Sequence, residues 1–592
     1  LGPLPLHAAE KLYTNYMLLV TNKSIATEKE KLNYCYEAYK LLDKVDTALL
    51  SEASANSIAI LVLNSVDVTV KDKYLKSSMK WLEYLTDLRI KQSLNTQTLS
   101  IVLRKLMLCY LYTDDYKNAY RIFNDEMNVE IQNHTITQVL LFKTLCNEIE
   151  TLDSYSTVFI QIFNKSLAKC KDILNLLQSS KMPTFEFYDT IYTCFKGMKS
   201  SNPLLPELLK YLLIETDTQE AVNTLEDLSK NFSYIRVLII AIQLYSNQIH
   251  SDSDIKATLE KNYDVINKLL NKSHRYLSNH NDLKKLKDGS EKTEVAKGSF
   301  GFNEIYWLAA VSFNMENLYY KNDIYLDDMN FADLSTGLIN ILLEDENYAT
   351  GELKNELTKR KARNACLKVF HKTEGFSFAQ SDFEKTINNL NELIDAINYD
   401  ANDEKCVWEM QLAKLMLFNY FKDEKCSEMF GDSKVLELLN SNDEFREGCF
   451  YVLLNNKDKP PQNSKFSKNA IMLLFHQCMN KMGLEKLLSC SRETISWLYD
   501  NDHSQEVVDF LNRVCSLVES KINDTLKEEL QEEFEWFSTH CWNMSVVSLM
   551  DENTDIGSFI SQEWFDACLK FSKNIRNDKT KNMMKLRERV LM

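Results

Sequence analysis

The chain has 592 residues, of which only 12 are glycine and 7 are proline, and its net charge is −16, from 69 Lys and Arg against 85 Asp and Glu. Sheets need glycine and proline for their turns, so this scarcity predicts an all-α chain. The Rossmann fold and the P-loop are excluded, because both need clustered glycines around phosphate. The acidic balance argues against strong direct binding of nucleic acid.

Apolar side chains in residues 103–123 recur at helical spacing on either side of a short polar turn at 113–115. The positions are Leu103, Leu106, Tyr110, Tyr116, Ala119 and Phe123. This is the tetratricopeptide (TPR) pattern, with a repeat of roughly 34 residues. We expect the small Ala119 to let the two helices approach closely and Phe123 to fill the gap to the next pair. Met107 replaces the usual small residue of the first helix. The fold predicted is a right-handed α-solenoid of TPR-like helix pairs.

A second clear helical face lies in residues 383–397, where apolar side chains recur at intervals of three and four. Ser381 followed by Glu384 predicts a capping box at the start of that helix. Polar turns are also predicted at residues 321–323 and 551–553, each between two helices.

Two segments interrupt the helical pattern. The first, rich in lysine and glycine, is predicted to be a charged flexible loop, and the second contains Pro460-Pro461, which cannot lie inside a helix. The predicted blocks are a solenoid at 1–280, a loop at 281–302, a solenoid at 303–455, a loop at 456–465 and a solenoid at 466–592 that ends in a basic capping tail.

The motifs of catalysis and of cofactor binding are missing from this sequence. It contains no HExxH, GxSxG, EF-hand loop or glycine-rich phosphate loop, and none of its 14 cysteines forms a CxxC motif. Cysteines such as Cys109 and Cys568 lie in apolar helical patterns and are expected to be buried, which suits the cytosol or nucleus. The adjacent pair His540-Cys541 favours a polar surface residue beside a core cysteine over a metal site. We therefore predict a protein that is not an enzyme, with no cofactor, metal, small-molecule ligand or membrane association.

Two basic stretches each have two interpretations. Residues 359–363, KRKAR, resemble a nuclear-import signal, but the solvent-facing side of a repeat helix is favoured because such runs are common. Residues 573–589 are rich in Lys and Arg, and a helix that caps the solenoid is favoured over a contact with a partner or with DNA.

Near the C-terminus, small and large apolar side chains again occur at helical spacing. This pattern predicts another helix pair, with the small Ala567 at the contact between the helices. Its first helix contains Trp542-Asn543. Tryptophan offers a large rigid surface, and asparagine offers both a donor and an acceptor to a bound backbone. The pair is therefore a candidate partner-binding site. The alternative, that Trp542 is a core aromatic and Asn543 an ordinary groove residue, stays open.

Several of these segments resemble the repeat domain of the meiotic Zip-four/Spo-twenty-two family. They are residues 78–82, 103–112, 118–123, 307–310 and 535–537, together with Trp542-Asn543. The resemblance covers most of the chain and rests on the order and spacing of degenerate TPR motifs.

The resemblance implies a TPR scaffold in the nucleus, on meiotic chromosomes, that promotes crossovers and assembly of the synaptonemal complex. Its implied protein partners are an XPF-like heterodimer that binds branched DNA, chromosome-axis proteins, MutS-type crossover proteins and synaptonemal central-element proteins. An aromatic-asparagine pair is the family feature associated with docking, and Trp542-Asn543 matches it. The alternative is a TPR scaffold of another complex, such as a cell-cycle ligase or a trafficking assembly.

Overall fold

A computed structural model describes most of the chain, and every statement of structure below concerns the residues it describes. These are residues 6–21, 27–44, 50–66, 75–152, 157–180, 182, 184–216, 232–251, 253–279, 302–326, 328–344, 351–375, 377–397, 404–421, 423, 425–454, 464–500, 504–550, 555–575, 582 and 584–586. Their regular elements are helices, and no strand occurs among them. The prediction of an all-α chain is confirmed.

The first of two compact units comprises Leu1–Gly301. Its α-helices are α1 (Leu6–Thr21), α2 (Glu28–Lys44), α3 (Glu52–Ser65), α4 (Leu75–Leu85), α5 (Leu88–Lys91), α6 (Thr96–Tyr112), α7 (Tyr116–Arg121), α8 (Val129–Gln132), α9 (Thr135–Thr151), α10 (Thr157–Ser179), α11 (Thr184–Lys196), α12 (Leu204–Lys210), α13 (Phe232–Ser251) and α14 (Ile255–Asn279). Two π-helical turns, Ile122–Glu126 and Tyr211–Glu215, extend α7 and α12.

The second unit comprises Phe302–Met592. Its α-helices are α15 (Phe302–Lys321), α16 (Phe331–Leu343), α17 (Gly351–Glu374), α18 (Phe383–Ala396), α19 (Glu404–Phe421), α20 (Lys425–Glu428), α21 (Ser433–Ser441), α22 (Asp443–Leu454), α23 (Ser464–Cys478), α24 (Leu484–Asp500), α25 (Ser504–Lys521), α26 (Asp524–Glu529), α27 (Gln531–Met550) and α28 (Asp555–Ser572). Short 3₁₀ turns occur at Gln380–Asp382 and Met429–Gly431.

Within each unit the strongest helix contacts join elements that are near neighbours in the chain. In the first unit α4 packs on α6, α6 on α7 and α9, and α9 on α10. In the second, α17 packs on α19, α19 on α22, α24 on α25, and α27 on α28. A chain in which each helix pair contacts only adjacent pairs is an α-solenoid, as predicted. The predicted right-handed sense stays a prediction.

The repeat at residues 96–126 shows how the local sequence sets these helices. The Asn95 side chain caps α6 by accepting from the Thr98 backbone at 2.8 Å. At the predicted turn, Asp114 adopts a left-handed backbone with φ 55°, which Asp tolerates better than most residues. Asp115 then caps α7, accepting from the Asn118 backbone at 3.2 Å. The second helix becomes π-helical after Arg121, which the periodicity did not predict.

Helix α18 buries the face that its periodicity predicted, with Leu390 at 0% exposure and Leu393 at 5%. The predicted capping box is wrong. Ser381 lies within a 3₁₀ turn, where the Asp382 backbone N–H donates to the Ala379 carbonyl at 3.1 Å. The turn continues into the helix, and no side chain caps its start.

One hydrophobic core in the second unit runs from Ala362 to Ile575. The predicted loop at 281–302 lies outside the described residues except for Phe302, and the predicted loop at 456–465 lies outside them except for residues 464 and 465, which begin α23. The turn predicted at 551–553 also lies outside them. The division into three solenoid blocks stays a prediction.

Candidate functional site

Helices α27 and α28 form the C-terminal helix pair, and buried serines lie between them. Ser538 and Ser572 hydrogen-bond through their hydroxyls at 2.6 Å. The Ser545 hydroxyl donates to the Ser561 carbonyl at 3.0 Å. Small side chains let two backbones approach closely, and the predicted contact residue Ala567 is 1% exposed on α28. The sequence analysis identified Ala567 but not these serines. Ser538 and Ser545 are seven residues apart, so they lie on the same face of α27, and this spacing is the signal that could have identified them.

Trp542 lies half-buried on α27 and is not the central aromatic of this pair. Its ring meets that of Phe565 from α28 at 6.0 Å between centroids, inclined by 60°. The fully buried tryptophan is Trp564, at 1% exposure. Trp542 therefore packs against the core from its edge and stays partly exposed, and its role in partner binding stays a prediction.

Asn543 is exposed, and its amide has no hydrogen-bond partner among the described residues. It belongs to a stripe of exposed side chains along one face of α27, which we call the α27 face. The members of the α27 face are Glu532, Glu535, Thr539, Asn543 and Val547. Val547 is 53% exposed, so the face is acidic towards the start of the helix and apolar towards its end.

Beside the α27 face three side chains are stacked. The guanidinium of Arg492, from α24, lies 4.7 Å from the centroid of the Trp536 ring. The His540 ring lies parallel to Trp536 at 4.8 Å. A cation over the face of an aromatic ring is attracted to it electrostatically. Arg492 is oriented further by Glu533, at 3.5 Å.

His540 is half-buried between two tryptophans, which corrects its interpretation as a polar surface residue. Its ring also meets that of Trp564 at 5.9 Å, and its Nε2 is buried with no hydrogen-bond partner among the described residues. Burial lowers the pKa of His540 below its ordinary value of 6.5, so the ring is neutral at neutral pH. The sequence signal for this stack was limited to the four-residue spacing of Trp536 and His540, since Arg492 comes from another helix.

The residues proposed for repeat packing in the first unit are all buried. They are Leu103, Leu106, Tyr110, Ala119 and Phe123, none more than 8% exposed. Hydrogen bonds tie this repeat to both neighbours: the Tyr110 hydroxyl donates to Glu83 of α4 at 2.8 Å, and the Tyr120 hydroxyl donates to Glu148 of α9 at 2.7 Å. Phe123 lies in the π-helical turn, and its carbonyl accepts from the Gln132 amide at 2.7 Å.

The two basic stretches lie in different settings. Residues 359–363 are part of α17, where Ala362 is fully buried and the Arg360 guanidinium lies 4.6 Å from the Tyr306 ring centroid. Most of the stretch at 573–589 lies outside the described residues.

All the cysteines except Cys490 are buried, and burial raises the pKa of thiols such as Cys541 well above the ordinary value. No group of three His, Cys, Asp or Glu side chains in the described part of the chain is arranged to hold a metal ion. No described helix has both the length and the apolar character that a membrane span requires.

Stacked helix pairs place the described part of the chain in the class of α-solenoid proteins, whose successive repeats build extended binding surfaces. No protein-family model matches the chain. The chain is similar to sporulation-specific protein 22 of Saccharomyces cerevisiae, with 20% identity in an alignment of 573 residues that covers 91% of this chain and 54% of that protein. It thus spans about half the length of the curated relative that it matches, and the resemblance to the Zip-four/Spo-twenty-two family extends over most of the chain.

A solved structure described as a circular tandem repeat protein with novel repeat topology aligns over 99% of both chains, at 10% identity and a TM-score of 0.16. A TM-score this low does not support a common architecture for the two proteins. The assignment of this chain as an α-solenoid rests on its own helices and their contacts.

Proposed function

We propose that the chain is a non-catalytic scaffold that acts in meiosis by holding protein partners together. The observation that carries this proposal is the similarity to a sporulation-specific protein along 91% of the chain. The helical-repeat fold supports it, because stacked repeats provide surface for several partners at once.

We further propose the partners that the family resemblance implies. The scaffold bridges an XPF-like heterodimer, which binds branched DNA, to chromosome-axis, MutS-type and synaptonemal central-element proteins on meiotic chromosomes in the nucleus. The net charge of −16 suits this division of labour, since the contact with DNA then belongs to the partner.

The α27 face is the docking surface in this proposal. Asn543 offers an exposed amide that can pair with a partner's main chain, Val547 offers apolar area on the same face, and the half-buried Trp542 adjoins Asn543 in the chain. The carboxylates of Glu532 and Glu535 favour a partner segment that carries basic side chains at the end nearest the start of α27. The Arg492 guanidinium stacks on Trp536, which follows Glu535 of this surface along α27.

A pull-down with the tagged chain from meiotic and from mitotic cells tests the proposal. Crossover and synaptonemal proteins should be recovered from meiotic extracts, and Asn543→Gln should weaken the contact with a central-element protein. The longer side chain displaces the amide, so the partner group that it bonded loses its hydrogen bond. The binding free energy should weaken by about 1–3 kcal/mol, or roughly 5- to 150-fold in affinity.

Asn124→Gln is the matched control, since Asn124 is also exposed but lies in the first unit. Recovery of the same partners from mitotic and meiotic cells would favour a scaffold of another complex. Undiminished affinity of Asn543→Gln for the central-element protein would remove Asn543 from the docking surface.

A further inference from the structure

A cleft of about 660 Å³ lies in the first unit along α6 and the start of α9. Helices α6 and α9 pack against each other, and each begins a successive helix pair. The side chains that matter here are Ile101, Arg104, Lys105, Glu130, His134 and Ile136. We call this feature the α6–α9 cleft. It lies in a different unit from the α27 face and does not depend on the function proposed above.

Arg104 is held in place in this cleft by neutral acceptors. Its Nε donates to the Ser100 carbonyl at 3.0 Å, another guanidinium nitrogen donates to the Ser100 hydroxyl, and Nη1 lies 3.0 Å from Nδ1 of His134. Because arginine can only donate, the His134 Nδ1 accepts. It also accepts from the Ile136 backbone at 3.3 Å, so this nitrogen carries no proton. Burial and the Arg104 charge lower the pKa of His134, which agrees with a neutral ring.

The hydrogen-bond partners of Arg104 in the described part of the chain are uncharged. Burial lowers the pKa of its guanidinium, and Arg104 forms no ion pair with a carboxylate of the described residues. Arginines nearby are paired: Arg89 lies 2.8 Å from Asp87, and Arg121 lies 3.0 Å from Glu126. Lys105 adds a second positive charge to the cleft, against the single exposed carboxylate of Glu130. In a chain with 85 acidic and 69 basic side chains, a cleft that carries two cations and one carboxylate has an excess of positive charge, which points to an acidic occupant.

Apolar side chains flank these cations. Ile101 is 38% exposed and Ile136 is 57% exposed, and both line the cleft. The lining of α6 runs from Thr96 to Lys105, about 14 Å at a rise of 1.5 Å per residue. That length accommodates roughly four residues of an extended peptide.

We propose that the α6–α9 cleft binds an acidic and apolar segment of a protein partner. A carboxylate of that segment pairs with Arg104, and an adjacent aliphatic or aromatic side chain packs between Ile101 and Ile136. Ser100 and His134 already hold the Arg104 side chain in place. Binding a carboxylate therefore costs little additional side-chain entropy.

Selection of random twelve-residue peptides displayed on phage, with the whole chain as bait, tests this proposal. The wild type should enrich peptides that have Asp or Glu beside Leu, Ile, Val or Phe. Arg104→Gln keeps a long polar side chain but removes the charge, and Ile136→Ser removes the apolar wall, so either change should abolish the enrichment. Measured by fluorescence anisotropy, the best selected peptide should bind Arg104→Gln at least about tenfold more weakly.

Arg121→Gln is the matched control, because Arg121 is exposed and already paired with Glu126 outside this cleft. It should keep both the enrichment and the affinity, and circular dichroism should show that all the variants fold. Selection of peptides without acidic residues, or equal binding of the selected peptide by wild type and Arg104→Gln, would overturn the proposal. The proposal would also be overturned if the wild-type chain bound the selected peptide equally well after its Asp and Glu residues were replaced by Asn and Gln.

Discussion

His371 on α17 donates a hydrogen bond from Nδ1 to Oε1 of Glu316 on α15 across 2.7 Å, and both side chains are almost fully buried. The other ring nitrogen, Nε2, lies 3.0 Å from the Ile324 carbonyl, which is also an acceptor. With the Glu316 carboxylate ionised, both nitrogens donate, and the ring is an imidazolium. Burial alone lowers the pKa of His371, but the hydrogen bond and charge of Glu316 outweigh it, so the pKa is raised above 6.5.

The buried pair predicts a pH dependence of stability. Since the pKa of His371 is higher in the folded than in the unfolded chain, its stabilising effect is complete below the unfolded value of about 6.5 and is lost as the pH rises through the folded value. In Glu316→Gln a neutral His371 can accept from the amide at Nδ1 and still donate to Ile324. Thermal unfolding from mildly acidic to alkaline pH should therefore show a larger fall in Tm for wild type than for this variant. Parallel curves would contradict the assignment of an imidazolium.

Ala119 on α7 is fully buried where this helix packs against α6. Ala119→Leu should overpack that contact and lower the free energy of unfolding by about 1–3 kcal/mol. Lys117→Leu is the control, since Lys117 is exposed on the same helix and has room for the new side chain. Chemical denaturation should shift the midpoint for the first variant and leave it nearly unchanged for the second. Equal midpoints would mean that Ala119 does not face α6.

Gly375 follows α17 and touches Tyr325, whose ring packs on His371 at 5.3 Å. A Cβ at Gly375 would lie 2.8 Å from the Cβ of Tyr325 and 3.1 Å from the His371 carbonyl. We expect Gly375→Ala to displace Tyr325 and to cost about 1–3 kcal/mol. At Gly431 the added methyl group meets nothing within 4 Å, so Gly431→Ala should leave the Tm close to that of wild type. If the Gly375→Ala chain is as stable as the Gly431→Ala chain, Tyr325 can move away from the added methyl group without loss of stability.

The two tryptophans of the C-terminal pair should differ in their effect on stability. Trp564 is 1% exposed, so Trp564→Ala should cost about 3–5 kcal/mol. Trp542 is half-buried, so Trp542→Ala should cost clearly less and leave a chain that folds. Affinity for a central-element protein should then fall in Trp542→Ala without unfolding, as thermal melts and binding isotherms of the same preparations can show. A Trp542→Ala chain as unstable as Trp564→Ala would mean that Trp542 acts chiefly in the core.

Much of the local structure follows from the sequence. Scarce glycine and proline determine an all-helical chain, because few positions can adopt the turns that sheets require. The spacing of Leu103, Leu106 and Tyr110 determines which side of α6 is buried, since a helix places residues three and four apart on one face. The turn at Asp114 also follows from the local sequence, because the polar residues on either side of it cannot continue the apolar face of α6.

Tertiary structure decided which residues meet across those faces. Periodicity marks Trp536 and His540 as neighbours, but only the packing of α24 against α27 brings Arg492 to them. The same holds for Glu316 with His371, which are 55 residues apart, and for Trp542 and Trp564, whose different burial no local pattern distinguishes. A helical period states the direction of a side chain around its own axis. What covers that side chain depends on helices from distant parts of the chain, and their relative positions are set only when the helices pack together.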